Sequence, residues 1–143
     1  LEFPCVYTVT TVNQLDTFTA ELLQSADVKL FLLEGDLGSG KTTLVQSCCR
    51  QLQVIDVVQS PTFALVNEYR TINNQVIYHL DLYRVQSREE LLDIGIDEYL
   101  YSGHYCFIEW PQIIKDYIAE KYISVYIEHA DNNNRQIKLK RYE

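Results

Sequence analysis

The stretch Gly35-Asp36-Leu37-Gly38-Ser39-Gly40-Lys41-Thr42 fits G-x-x-x-x-G-K-[ST] without a mismatch. That pattern works only as a loop between a strand and a helix, so it fixes the fold around it. The flanks comply. Leu30-Phe31-Leu32-Leu33 is an apolar run of the length of a buried parallel strand, and Thr43-Leu44-Val45 opens a helical pattern. The residue types then set the chemistry. Gly35, Gly38 and Gly40 permit a tight turn that aims main-chain N–H groups inward at an anion. The helix that follows adds the positive end of its dipole. Lys41 is expected on the β- and γ-phosphates, and the Thr42 hydroxyl on a magnesium ion. The loop therefore predicts a nucleoside triphosphate site and leaves the reaction open.

The rest of the chain arranges itself around that unit. Residues 5–10 read as a strand. Thr11 with Gln14 forms a capping box, and Leu15, Phe18 and Leu22 follow at helical spacing to about Ala26. Residues 29–34 form the strand that feeds the loop, and 42–52 the helix after it, with Leu44, Val45 and Cys48 toward the sheet. Two strand-like runs, 63–69 and 76–83, flank the turn signal Asn73-Asn74 and predict an antiparallel hairpin. Ser87 with Glu90 opens a short helix, Gly95 stops it, and 97–100 add one more turn. Residues 105–108 read as a buried strand ending at Glu109, and Pro111 starts a helix through Ile118. Residues 123–128 and 136–140 are strands around an Asn-rich turn. The expected fold is α/β: a P-loop NTPase-like mixed sheet flanked by helices, with an inserted antiparallel hairpin, in one domain over 1–143.

Composition narrows the function classes. The chain has 143 residues, 20 acids against 12 bases and a formal charge of −8. A surface that grips nucleic acid by itself needs the opposite sign, so any nucleic-acid role is expected to run through a partner. There is no apolar run long enough to span a bilayer and no signal-peptide pattern. The four cysteines (Cys5, Cys48, Cys49 and Cys106) form no C-x-x-C pair and are expected reduced and mostly buried, in a cytoplasmic protein.

A P-loop alone holds magnesium on one side, and an acid from a neighbouring strand usually completes the site. Asp81 interrupts an apolar run, and Glu109 ends a buried strand at the carboxyl edge where ligands bind in open α/β sheets. One is expected to hold the ion and the other to polarise or position the attacking water. An ion pair of Asp81 with Arg84, or a helix-terminal role for Glu109, would explain each acid without a metal. Ser60-Pro61-Thr62 offers hydroxyls that reach the ion or the γ-phosphate, or else forms an ordinary turn. His79 reads as a packed strand histidine, and Trp110 as a core residue or a partner-facing anchor.

Taken together, these motifs resemble one family. Gly-Asp-Leu-Gly-Ser-Gly-Lys-Thr-Thr (35–43), Ser-Pro-Thr-Phe (60–63), Leu-Val-Asn-Glu-Tyr (65–69), His-Leu-Asp-Leu-Tyr-Arg (79–84), Glu-Leu-Leu-Asp-Ile-Gly (90–95) and Ile-Glu-Trp-Pro (108–111) resemble the bacterial TsaE family, formerly YjeE. The resemblance covers residues 5–114 and leaves the tail after Lys115 without a signature. It implies a small Mg-dependent ATPase of the pathway that places threonylcarbamoyladenosine next to the tRNA anticodon, weak alone and activated by its partners. The implied partners are TsaD and TsaB, with TsaC making the threonylcarbamoyl donor and tRNA reached only through the complex. Hydrolysis would reset the transferase between turnovers.

By position, the resemblance implies ATP and Mg2+ on these residues. Asp36, Leu37, Gly38, Ser39, Gly40, Lys41, Thr42 and Thr43 would cradle the nucleotide, with Thr43 at the α-phosphate and Thr11 near the adenine. Thr42 and Glu109 would bind magnesium. Asp81 would be the acid needed for hydrolysis, alongside Lys41, Glu109 and a switch-like Thr62. Ser39 stands where Ala is more usual, which should be harmless. Two other readings compete: a small-molecule kinase, which would transfer phosphate to a metabolite rather than to water, and a nucleotide-gated binding module in which turnover is immaterial.

Overall fold

The computed structural model describes residues 1–61 and 65–143. Among them a seven-stranded mixed sheet runs in the order β1-β7-β6-β2-β5-β4-β3. The strands are β1 (Cys5–Val9), β2 (Leu30–Glu34), β3 (Val66–Arg70), β4 (Val76–Asp81), β5 (Tyr105–Glu109), β6 (Tyr122–His129) and β7 (Arg135–Tyr142). β4, β5, β2 and β6 are mutually parallel, whereas β3, β7 and β1 pair antiparallel. The expected α/β architecture and its inserted hairpin, β3–β4, are both present.

β2 shows why the sheet has two covered faces. Its four apolar residues are all buried, and they alternate. Phe31 and Leu33 join Phe107, Val125, Phe18, Leu22 and Val45 beneath α1 (Val12–Ser25) and α2 (Lys41–Gln51). Leu30 and Leu32 join Ile108, Leu80, Leu91, Ile96 and Ile114 beneath α3 (Arg88–Asp93), α4 (Ile96–Leu100) and the 3-10 turns of Pro111–Tyr117. An all-apolar strand is what burial on both faces requires.

Local signals set the element ends. Thr11 and Gln14 exchange both bonds of the capping box, and Ser87 caps α3 by accepting from the Glu90 N–H. Gly95 adopts φ 70° between α3 and α4. Two expectations need correction. The second hairpin strand stops at Asp81 rather than at residue 83, because the Asp81 carboxylate accepts from the Tyr83 N–H at 3.0 Å and turns the chain out of the ladder. The helix after Pro111 is 3-10, not α. The first hairpin strand begins at Val66, and residues 63 and 64 of the expected run lie outside those described.

Candidate functional site

The parallel strands end on one edge of the sheet, and antiparallel β7 begins there. The edge opens on a cleft of about 300 Å³ lined by Leu37, Gly38, Gly40, Lys41, Thr42, Thr43, Ser60, Asp81, Glu109, Trp110 and Arg135. The P-loop forms its floor. Only glycine fits at 35: a Cβ there would lie 2.3 Å from the Ile127 carbonyl oxygen, at φ 145°. Gly40, at φ 111°, precedes α2 and offers no side-chain cap, so no N-cap side chain takes up the first-turn N–H groups of that helix. Lys41 is 5% exposed, and its Nζ donates to the carbonyls of Gly35 (2.6 Å) and Asp36 (2.9 Å) while lying 4.0 Å from the Trp110 ring centre. Burial lowers its pKa, against the pull of Glu109, Asp81 and Asp36.

Facing the loop, Asp81 and Glu109 are register partners on adjacent parallel strands. Their surroundings differ. Glu109 is buried, and the Thr42 hydroxyl stands 3.0 and 2.9 Å from its Oε1 and Oε2. His79 Nε2 lies 2.6 Å from Oε2 on the other side. Asp81 has the Tyr83 main-chain donor, and its pKa is raised, chiefly by burial and further by Glu109. The structure gives no ion pair of Asp81 with Arg84. Next to Glu109, Trp110 sits at φ 56°, a costly conformation for a bulky residue before proline. That twist sets its ring against Tyr83, with centroids 4.8 Å apart and the planes tilted by 51°.

Of the residues singled out in the sequence, Leu37, Gly38, Gly40, Lys41, Thr42, Thr43, Asp81 and Glu109 come together in the cleft. Asp36 contributes its carbonyl to Lys41. Ser39 turns its side chain inward, where its buried Oγ has no partner among the described residues. Thr11 does not line the cleft and caps α1 instead, although its neighbour Thr10 reaches Asn134 at the cleft's β7 side (2.6 Å). Thr62 lies outside the described residues.

Two contacts on the phosphate loop had no sequence signal. Arg135, the first residue of β7, donates from Nε to the Ser39 carbonyl at 2.9 Å, and His129 Nε2 lies 3.1 Å from the Gly38 carbonyl. Both come from the tail that carried no motif. His79 is packed in its strand as expected, yet its ring also bonds Glu109.

A family model described as "Threonylcarbamoyl adenosine biosynthesis protein TsaE" matches residues 8–137. The chain belongs to the TsaE family. It is similar to the tRNA threonylcarbamoyladenosine biosynthesis protein TsaE of Bacillus subtilis (strain 168), 35% identical over 132 residues that cover 89% of this chain and 80% of the relative. The TsaE of Rickettsia conorii is 39% identical over 128 residues, covering 86% and 69%. The crystal structure of Bacillus subtilis YdiB shares the fold, with a TM-score of 0.75, 24% identity, and coverage of 94% of this chain and 83% of that one. Membership of TsaE ties the chain to threonylcarbamoyladenosine biosynthesis in tRNA, and the geometry fits a nucleotide-using member. Among the described residues no three His, Cys, Asp or Glu side chains gather as a metal cage. One hydroxyl and one buried carboxylate are oxygen ligands of the kind magnesium would take together with phosphate oxygens, and the uncapped helix N-terminus would receive the phosphate, not the ion. Among the described residues no helix is long and apolar enough to cross a membrane.

Proposed function

We propose that the cleft binds ATP with magnesium and hydrolyses it. The observation that carries this reading is the Thr42 hydroxyl, held at the start of an uncapped helix within 3.0 Å of both Glu109 oxygens, with Asp81 in register beside it. Thr42 and Glu109 would hold the ion, whose chemistry there is to neutralise charge on the β- and γ-phosphates. Lys41 and the loop N–H groups bind the phosphates. Asp81 orients the attacking water and takes its proton, a role suited to a carboxylate whose proton affinity is raised and which the Tyr83 N–H fixes in place. Water oxygen bonds to the γ-phosphorus, the bond to the bridging oxygen breaks, and ADP and inorganic phosphate leave.

The hydrolysis serves tRNA threonylcarbamoylation in company with TsaD and TsaB, with TsaC supplying the donor and tRNA met only through that complex. The chain's charge of −8 supports the indirect route. Slow turnover in isolation is expected. Reconstitution with TsaB, TsaC and TsaD tests the reading: modified tRNA should accumulate with ATP consumed and phosphate released to water. Glu109→Gln should abolish both. Modification that proceeds unchanged with Glu109→Gln, or phosphate appearing on a metabolite, rejects it.

A further inference from the structure

Two buried polar side chains, His79 and Tyr69, lie behind the cleft and do not line it. His79 is fully buried, and both its ring nitrogens have partners: Glu109 Oε2 at 2.6 Å and the Tyr69 hydroxyl at 2.9 Å. Tyr69, 3% exposed, turns its hydroxyl to the main chain of Gln59, 2.9 Å from the carbonyl and 3.3 Å from the N–H. Asn67 Nδ2 fastens the same carbonyl at 2.9 Å. The next residue, Ser60, returns to the cleft with its Oγ 2.8 Å from Thr42 Oγ1. Thr42 meets Glu109 in turn. The contacts close a ring: Thr42, Glu109, His79, Tyr69, Gln59, Ser60 and back to Thr42.

We propose that Tyr69 and His79 are positioning residues that couple the Glu109 carboxylate to the Gln59–Ser60 segment, so that metal binding and the placement of that segment are one event. An imidazole and a phenol buried for packing alone would be replaced by apolar rings at little cost, whereas these join two separate parts of the site. With Glu109 ionised, Nε2 carries the ring proton and Nδ1 accepts the one proton of the Tyr69 hydroxyl, whose oxygen accepts in turn from the Gln59 N–H while Asn67 serves the Gln59 carbonyl; this fixes the ring's orientation and thereby the carboxylate's. Thr42 has a single hydroxyl proton for two neighbours, Glu109 and Ser60. Any change in how Thr42 and Glu109 are engaged is therefore felt at both ends of the 59–60 segment. The proposal rests on the reading that Thr42 and Glu109 hold magnesium.

The test titrates Mg2+ into the full chain with a fluorescent ADP, beside a binding measurement in EDTA, and follows amide exchange over residues 57–61. In the wild type Mg2+ should tighten ADP binding and slow exchange in that segment, and Glu109→Gln should lose both responses. Tyr69→Phe keeps the ring and removes the hydroxyl. It should raise the Mg2+ midpoint roughly tenfold, the usual cost of removing an outer partner of a metal ligand. It should also abolish the Mg2+-induced slowing, while affinity in EDTA stays at the wild-type level. His79→Gln should do the same; should it fail to fold, Tyr69→Phe decides alone. A Tyr69→Phe protein with the wild-type midpoint and slowing overturns the coupling while Glu109→Gln still upholds the metal site. Equal losses with and without Mg2+ reduce Tyr69 to a packing residue and overturn it too. A wild type indifferent to Mg2+ removes the metal reading and the coupling together.

Discussion

β5 and β4 lie on one side of the P-loop strand, β6 and β7 on the other, and the two sides furnish the cleft with opposite charge. The β5–β4 rim brings Asp81 and Glu109. Glu109 is held there by side chains, Thr42 and His79. The β6–β7 rim brings His129 and Arg135, and both touch main-chain carbonyls of the loop, those of Gly38 and Ser39. One rim thus presents groups that can meet a cation and a water. The other braces the loop's backbone and leaves its chemistry to Lys41 and the N–H groups. Loss of the Asp81 carboxylate on the acidic rim should fall on turnover, and changes on the basic rim on affinity.

The largest expected effect is on the acidic rim. Asp81→Asn should lower phosphate release by about 10²–10⁴-fold, the range for loss of a positioned proton acceptor, while nucleotide still binds. Steady-state release and equilibrium binding on one preparation check this. On the basic rim, Arg135→Ala removes the charged donor to the Ser39 carbonyl. It should weaken ATP and ADP binding by about tenfold, the measure of one charge-assisted hydrogen bond, and leave turnover at saturating ATP nearly intact. A turnover loss as large as that of Asp81→Asn would break the contrast between the rims.

The acidic rim was legible in the sequence and the basic rim was not, for a physical reason. The P-loop is a local device: eight consecutive residues carry the turn, the cation and the hydroxyl, and their flanks announce strand and helix. Asp81 and Glu109 stood out because a carboxylate in an apolar run demands compensation. Arg135 reaches the cleft only because β6 adds parallel to β2 and β7 turns back beside it, so that the hairpin's turn meets the loop edge. The Asn-rich turn disclosed a hairpin but not which edge it would join. His79 likewise looked like strand packing, which it is. Its bond to Glu109 depends on the β4–β5 register that sets Asp81 opposite Glu109. Strand ends were blurred where a side chain, Asp81 on the Tyr83 N–H, overrode β-propensity.

Asp81 also separates the rims by its effect on stability. Its folded pKa lies above the ordinary 3.8, mainly through burial. The folded chain therefore holds the proton more tightly than the unfolded chain, and ionisation in the fold is unfavourable. Below about 3.8 both states are protonated and there is no penalty. The penalty grows as pH rises through 3.8 and levels off above the folded value. Asp81→Asn should accordingly melt higher than the wild type at pH 7, by a few degrees at most since the group is partly exposed to screening solvent, and the gap should narrow as pH falls toward 4. Thermal melts without nucleotide at several pH values measure it. A gap that widens at low pH would mean that the carboxylate is stabilised, not strained, on this rim.

Between the rims lies Ser39, and it offers the smallest and cleanest comparison. Its carbonyl accepts from Arg135, while its Oγ is buried with no partner among the described residues. The basic rim's hold is on the backbone, so replacing the side chain should not loosen it. A buried hydroxyl left unpaired costs about 1–3 kcal/mol. Ser39→Ala should therefore stabilise the nucleotide-free chain by about 1 kcal/mol, a rise of a few degrees at this size, with ATP affinity unchanged. Denaturant melts and a binding titration read the two quantities separately. A loss of stability would show that the hydroxyl has a partner in solution. A loss of affinity alone would show that Ser39 contributes to the nucleotide site with its side chain as well as with the carbonyl that Arg135 holds.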